Sequence, residues 1–280
     1  MATATINGIR IFYELGGTGD VPLVLVHGSW GSHHGWDLVA PGLRQSLRVV
    51  TYDRRGHSLS ERPGAQGSVR EDVADLAALI DHLGLAPAWV AGSSFGASIA
   101  LRLAGECPDL LRGVIAHEPP LFALLAGDPV AAPMLEEVTR RIRAVVDRIA
   151  SGDHAGAAEQ FVETVALGPG AWAQLAPDIQ QTFIENAPTF PDEARDPEQL
   201  AFDPARIKAF PHPALLTMGD QSPPIFGPVI ARLRDAAPGL RVATFTGAGH
   251  IPHVTHASAY VDAITAFVHE HAAGRERGPE

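Results

Sequence analysis

Short apolar runs of six to eight residues recur along the chain and alternate with longer stretches whose apolar positions fall three or four apart. The runs are VPLVLVHG (21–28), LRVVTYD (47–53), AWVAGS (88–93), GVIAHE (113–118), PALLTMG (213–219) and LRVATFTG (240–247). Each is expected to be a strand buried on both faces, as in a parallel sheet. Ahead of them, TATINGIRIFYEL predicts a hairpin turning at Asn7-Gly8, because the favoured two-residue turn needs positive φ at both positions. Helical spacing predicts helices over 69–83, 95–106, 228–236 and 258–270. The alternation implies an α/β fold, a mostly parallel sheet with helices on both faces.

One interval interrupts the rhythm. Between Glu118 and Pro213, MLEEVTRRIRAVVDRIA and HAGAAEQFVETVA repeat apolar residues at helical spacing, and no segment reads convincingly as a strand. A structureless loop of that length is not expected in a compact domain. The stretch is therefore read as a helical insertion, cut into about four helices by the breaks GPGAW, NAPTFPDEARDP and FPHP. Its attachment at a strand end suggests a lid over the sheet. No internal repeat or low-complexity block is present, and the tail GRERGPE (274–280) is expected to be disordered.

Composition adds little to the fold: 280 residues, 46% of them hydrophobic, supply ample core for one large domain or two small ones. Charge narrows the partners. The balance of 21 basic against 32 acidic residues gives a formal charge of -11, which argues against nucleic acid and against anionic membranes. VPLVLV is far too short to span a bilayer, and MATATINGIRIFYEL lacks the basic start and apolar core of a signal peptide. A single cysteine, Cys107, excludes an internal disulfide and fits a reducing compartment. These features predict a cytoplasmic protein; they leave a homodimer open.

The chemistry centres on AGSSFG (91–96). Gly92-Ser93-Ser94-Phe95-Gly96 is G-x-S-x-G between an apolar strand and a helix, where a sharp turn would expose a strained Ser94 hydroxyl. Small residues two before and two after the serine permit the close approach. Upstream, the strand VPLVLV leaves the sheet at His27-Gly28-Ser29-Trp30, so the N–H groups of Ser29 and Phe95 are candidate oxyanion donors. The base is expected late in the chain, and Gly247-Ala248-Gly249-His250 follows the last strand. His27 and His57 read as structural. His250, His253 and His256 are spaced by three, but the spacing matches no familiar zinc motif, so no metal is expected. His33 and His34 read either as pocket mouth or as solvated loop.

The ordered set HGSWGSHHGW, YDRRGHS, GSSFG and GAGHIPH, with a helical insertion after the sixth strand, closely resembles the α/β-hydrolase superfamily from Ile9 to about Ala272. The resemblance implies an eight-stranded sheet, a core of residues 1–118 and 213–273, a helical cap at 119–212, Ser94 as nucleophile and His250 as base. A serine at 94 disfavours the epoxide hydrolases and haloalkane dehalogenases of this fold, which need a carboxylate there. In most relatives the triad acid stands three residues beyond the glycine ending strand 213–219, and here that residue is Ser222. The available carboxylates are Asp220, two residues early, and Glu118, in a place that a minority of the superfamily uses. Strand residues rise about 3.3 Å each, which leaves Asp220 some 6 to 7 Å short, while neighbouring strands lie about 4.8 Å apart. Glu118 is thus the expected acid.

The reading that results is a cofactor-free serine hydrolase of a small, apolar carboxylic ester or lactone, working through an acyl-enzyme. Trp30, His33, Trp172 and Phe190 are expected to bind substrate, with Phe122 and Phe183 as further candidate linings. The same scaffold serves C–C bond hydrolases, perhydrolases, cofactor-free oxygenases and small-molecule receptors of low turnover, and fold does not choose among them.

Overall fold

The computed structural model describes residues 1–272, so the predicted tail at 274–280 lies outside the described residues. Eight strands build one sheet: β1 (Ala2–Ile6), β2 (Ile9–Gly16), β3 (Pro22–Val26), β4 (Arg48–Tyr52), β5 (Ala88–Ser93), β6 (Leu111–His117), β7 (Ala214–Gly219) and β8 (Arg241–Phe245). Their order is β1-β2-β4-β3-β5-β6-β7-β8. The β1/β2 and β2/β4 pairs are antiparallel and the other five are parallel. The opening hairpin turns where its sequence says it should: Asn7 (φ 46°) and Gly8 (φ 84°) are both left-handed, and Ile6 faces Ile9.

Period-two alternation sends side chains to two separate cores. Val24, Val26, Val90, Val114 and Leu216 pack beneath the helices Val69–His82, Phe95–Glu106 and Phe226–Ala236. Leu23, Leu25, Ala91, Ile115 and Leu215 face the other way, against Tyr260, Ile264 and Phe267 of the helix Ala257–Ala272. The helix Val69–His82 is capped by Ser68: the Glu71 N–H donates to Ser68 Oγ at 3.3 Å, and Ser68 Oγ donates to Glu71 Oε2 at 3.0 Å. One expectation fails here. β8 is not buried on both faces: Arg241, Val242 and Thr244 are exposed, because the strand order leaves it at the sheet's edge.

Among the described residues the chain between β6 and β7 is helical, with no strand. Its longer helices are Ala132–Ala150, His154–Phe161, Pro177–Asn186 and Phe190–Arg195, followed by the short Pro204–Lys208. They enclose a third core made of Val145, Ile149, Ala158, Phe161, Val162 and Phe190, into which the loop after β3 inserts Trp30. That indole stacks on Phe161 at 4.9 Å and lies 5.1 Å from Phe190.

Candidate active site

The parallel strands deliver their ends to one place. β5 stops at Ser93, and the next residue, Ser94, has φ 55° and ψ -121°, outside the regions a β-carbon tolerates, before the helix Phe95–Glu106 begins. The flanking glycines are required by contact. A Cβ on Gly92 would meet Gly96 O at 2.2 Å, and one on Gly96 would meet Val26 O at 2.1 Å. The turn is tied to the next strand, since the Ser94 N–H donates to His117 O at 2.8 Å. Trp30, in the loop after β3, and Glu118, just after β6, also have positive φ (65° and 44°), so three segments leaving the sheet carry a residue of this kind.

Glu118 is fully buried and accepts two hydrogen bonds: from the Gly219 N–H at 2.7 Å on Oε1, and from His250 Nδ1 at 2.5 Å on Oε2. Burial pushes this carboxyl up, but the hydrogen bond and charge of His250, with His117 beyond it, win and hold it below the usual carboxylate range. With Nδ1 engaged, Nε2 is the His250 atom left to take a proton. Phe226, which the sequence did not single out, stacks on the His250 ring at 4.4 Å and 15°. Ser222 lies close enough to help hold the Glu118 carboxyl down, yet it makes no hydrogen bond of ordinary geometry. Asp220 is exposed and accepts instead from the Gly247 N–H at 2.8 Å.

A second imidazole, His117, sits behind the pair with Nδ1 3.0 Å from Thr217 Oγ1 and Nε2 3.6 Å from Glu118 Oε2. Burial brings its pKa down to about 4. His117, Glu118 and His250 have donor atoms within 4.8 Å of one another, a set able to approach a metal ion. The 2.5 Å contact of Glu118 with His250 does not fit one, because two ligands at about 2.0–2.2 Å from an ion in tetrahedral array stand about 3 Å or more apart. Among the described residues His250, His253 and His256 form no such set.

Across the nucleophile, the loop after β3 runs hard against the turn: a Cβ on Gly28 would lie 3.0 Å from Ser94 Cβ and 3.7 Å from the Phe95 nitrogen. Ser29 thus follows directly on a contact with the first turn of the Phe95 helix, whose leading N–H groups have no partner one turn back. His27 is structural, as expected: Nδ1 lies 2.8 Å from Gly28 O, and Nε2 accepts from the Arg54 N–H at 3.0 Å. His57 likewise holds Arg55 O, at 2.9 Å. The sequence missed what surrounds Ser29. Its hydroxyl donates to Glu193 Oε2 at 2.5 Å, from the helix Phe190–Arg195, and Arg54 bridges Glu193 Oε1 (2.9 Å) and Asp72 Oδ2 (2.8 Å).

Ser94 and His250 line one cavity of about 510 Å³, within the range that takes small organic molecules. Its wall is mainly apolar and includes Phe122, Phe183, Phe190 and Phe226. Of the four residues expected to bind substrate, Phe190 is in this wall and three are not. Trp30 is fully buried as the aromatic that joins the sheet to the insertion's core. His33 is buried and committed to Asp53, through its N–H at 2.7 Å and Nδ1 at 2.8 Å, while exposed His34 reaches the wall instead. Trp172 packs on the outside of the insertion's core, its N–H donating to Glu163 Oε1 at 2.6 Å. Among the described residues no helix is long and apolar enough to cross a membrane.

Comparison with known proteins places this architecture. The curated 2-hydroxymuconate semialdehyde hydrolase of Pseudomonas sp. (strain CF600) is 28% identical over 94% of this chain and 92% of its own length. The uncharacterized hydrolase YraK of Bacillus subtilis (strain 168) is 35% identical over 53% of this chain and 56% of its own. The chain spans only about a quarter to half the length of the first curated relatives it matches. Among solved structures, an alpha/beta hydrolase from Sphaerobacter thermophilus DSM 20745 superposes with a TM-score of 0.77 at 27% identity, covering 95% of this chain and 100% of that one. Residues 23–263, from β3 into the last helix, match the model of the alpha/beta hydrolase family, and the chain belongs to that family.

Proposed function

We propose that the protein is a serine hydrolase of neutral carboxylic esters or lactones. The observation that carries this reading is the buried 2.5 Å hydrogen bond from His250 Nδ1 to Glu118, beside a cavity that both His250 and the strained Ser94 line. Ser94 Oγ attacks the substrate carbonyl carbon and gives its proton to His250 Nε2, while Glu118 holds the imidazole in the tautomer that accepts it. The N–H groups of Ser29 and Phe95 take the charge on the former carbonyl oxygen. Collapse expels the alkoxide, which His250 protonates; in a lactone that alcohol stays attached to the acyl group. Water, deprotonated by His250, then cleaves the acyl-enzyme to release the carboxylate and restore Ser94.

The helical insertion acts as a cap that supplies much of the pocket wall and sets specificity. Among the described residues no arginine or lysine lines the cavity, and Asp37 and Asp178 add negative charge to its wall. This favours an uncharged substrate. A C–C bond hydrolase is the second reading, supported by the relative named for 2-hydroxymuconate semialdehyde. It is less well supported because that name denotes an acid, and among the described residues the wall offers a carboxylate no arginine or lysine. A panel of p-nitrophenyl esters tests the proposal, run with a serine-directed phosphonate. Ester turnover that phosphonate abolishes, and that Ser94→Ala lacks while keeping its fold, is expected. A folded Ser94→Ala with a substantial fraction of wild-type turnover refutes it, and wild type that binds esters without turnover makes the protein a receptor.

A further inference from the structure

The proposed oxyanion loop and the proposed cap meet at one buried group. Arg54 is 1% exposed and donates in three directions: through Nε and Nη2 to Asp72 at 3.0 and 2.8 Å, through Nη2 to Glu193 Oε1 at 2.9 Å, and through Nη1 to Gly28 O at 3.3 Å. Gly28 C=O and Ser29 N–H belong to a single planar peptide, so a donor that holds the oxygen aims the N–H the opposite way. The guanidinium also lies 4.6 Å over the ring of Phe95, the residue that carries the other donor. Glu193, 7% exposed on the helix Phe190–Arg195, closes the arrangement by accepting from both Arg54 and the Ser29 hydroxyl. One carboxylate of the insertion is therefore linked to this peptide by two routes, the Ser29 side chain and Arg54, the latter sharing Gly28 O with His27 Nδ1 at 2.8 Å.

We infer that Glu193 is a positioning residue for the oxyanion donors: through Ser29 and Arg54 it makes the alignment of the Ser29 N–H depend on the cap being seated. The inference rests on the serine-hydrolase reading. A carboxylate that only fastened the cap could pair with Arg54 alone. The additional bond to Ser29 joins it to the residue next in line to bind the oxyanion, and a displacement of about 1 Å there is enough to cost about 10²-fold in rate.

A double-mutant cycle tests this. On p-nitrophenyl butyrate, Glu193→Ala and Ser29→Ala are each expected to lower kcat by about 10-fold to 10²-fold with KM little changed. The double variant should be no slower than the slower single one, because Glu193→Ala already removes the bond that Ser29→Ala breaks. Glu193→Gln keeps an acceptor oxygen and should recover most of the rate. A trifluoromethyl ketone, whose serine adduct carries the oxyanion, should lose affinity in parallel with kcat. If Glu193→Ala does not fold, Glu193→Asp, one methylene short of Ser29 and Arg54, takes its place in the cycle with the same loss expected. Losses that add, or a Glu193 effect confined to KM or thermal stability, overturn the inference while leaving the hydrolase reading standing. Wild type without Ser94-dependent turnover removes both.

Discussion

Glu118 and Asp220 differ at the residue scale by what surrounds them. Glu118 is buried with two donors on it, one of them His250, whereas Asp220 is exposed and holds a turn. Glu118→Gln keeps the shape and removes the charge, and is expected to lower kcat by about 10²-fold or more. Asp220→Asn should cost much less; the reverse order would make Asp220 the acid. The acid stability has a definite sign. Because the folded Glu118 pKa is lowered, its contribution is fully present above the unfolded value of about 4.3 and is lost as pH falls through the folded value. The difference in Tm between wild type and Glu118→Gln should shrink as pH falls below about 4. A difference that grows as pH falls below about 4 would contradict this. Ser94, Glu118 and His250 were legible as candidates because each stands at or just beyond a strand end. Glu193 was not, because nothing local in the sequence joins it to a hydroxyl 164 residues earlier.

At the scale of elements, the turn around Ser94 is a packing problem that only glycine solves. Gly96→Ala, with its Cβ 2.1 Å from Val26 O, should cost more than about 3 kcal/mol in urea unfolding or abolish folding. Gly239→Ala, which meets nothing within 4 Å, is the tolerated control. The strand set was legible because short continuous apolar runs differ so plainly from helical spacing; the edge position of β8 was not, since pairing order is a long-range property. Helical spacing likewise located the insertion's helices but not which aromatics face inward. Phe183, half-buried in the cavity wall, should when replaced by alanine shift the preference between p-nitrophenyl octanoate and acetate by about 10-fold. Trp172→Ala, outside the wall, should leave that ratio unchanged, and equal effects from both would remove Phe183 from the pocket.

For the whole molecule, a formal charge of -11 and a cavity wall without arginine or lysine among the described residues act in one direction. Burying an unpaired carboxylate costs several kcal/mol, so a neutral p-nitrophenyl ester should exceed its ω-carboxylate analogue of equal length by about 10²-fold or more in kcat/KM. Comparable rates would mean that the acid end stays in water. The positive-φ residues Trp30, Ser94 and Glu118 reach beyond reactivity. Each such position costs on the order of 1–3 kcal/mol, which the rest of the sheet must offset. Glycine at 94 relieves that penalty where alanine cannot, so Ser94→Gly should melt above Ser94→Ala although neither turns over substrate. Thermal resilience and reactivity would then be drawn from the same few backbone angles, and selection for heat tolerance alone would tend to erode this site first.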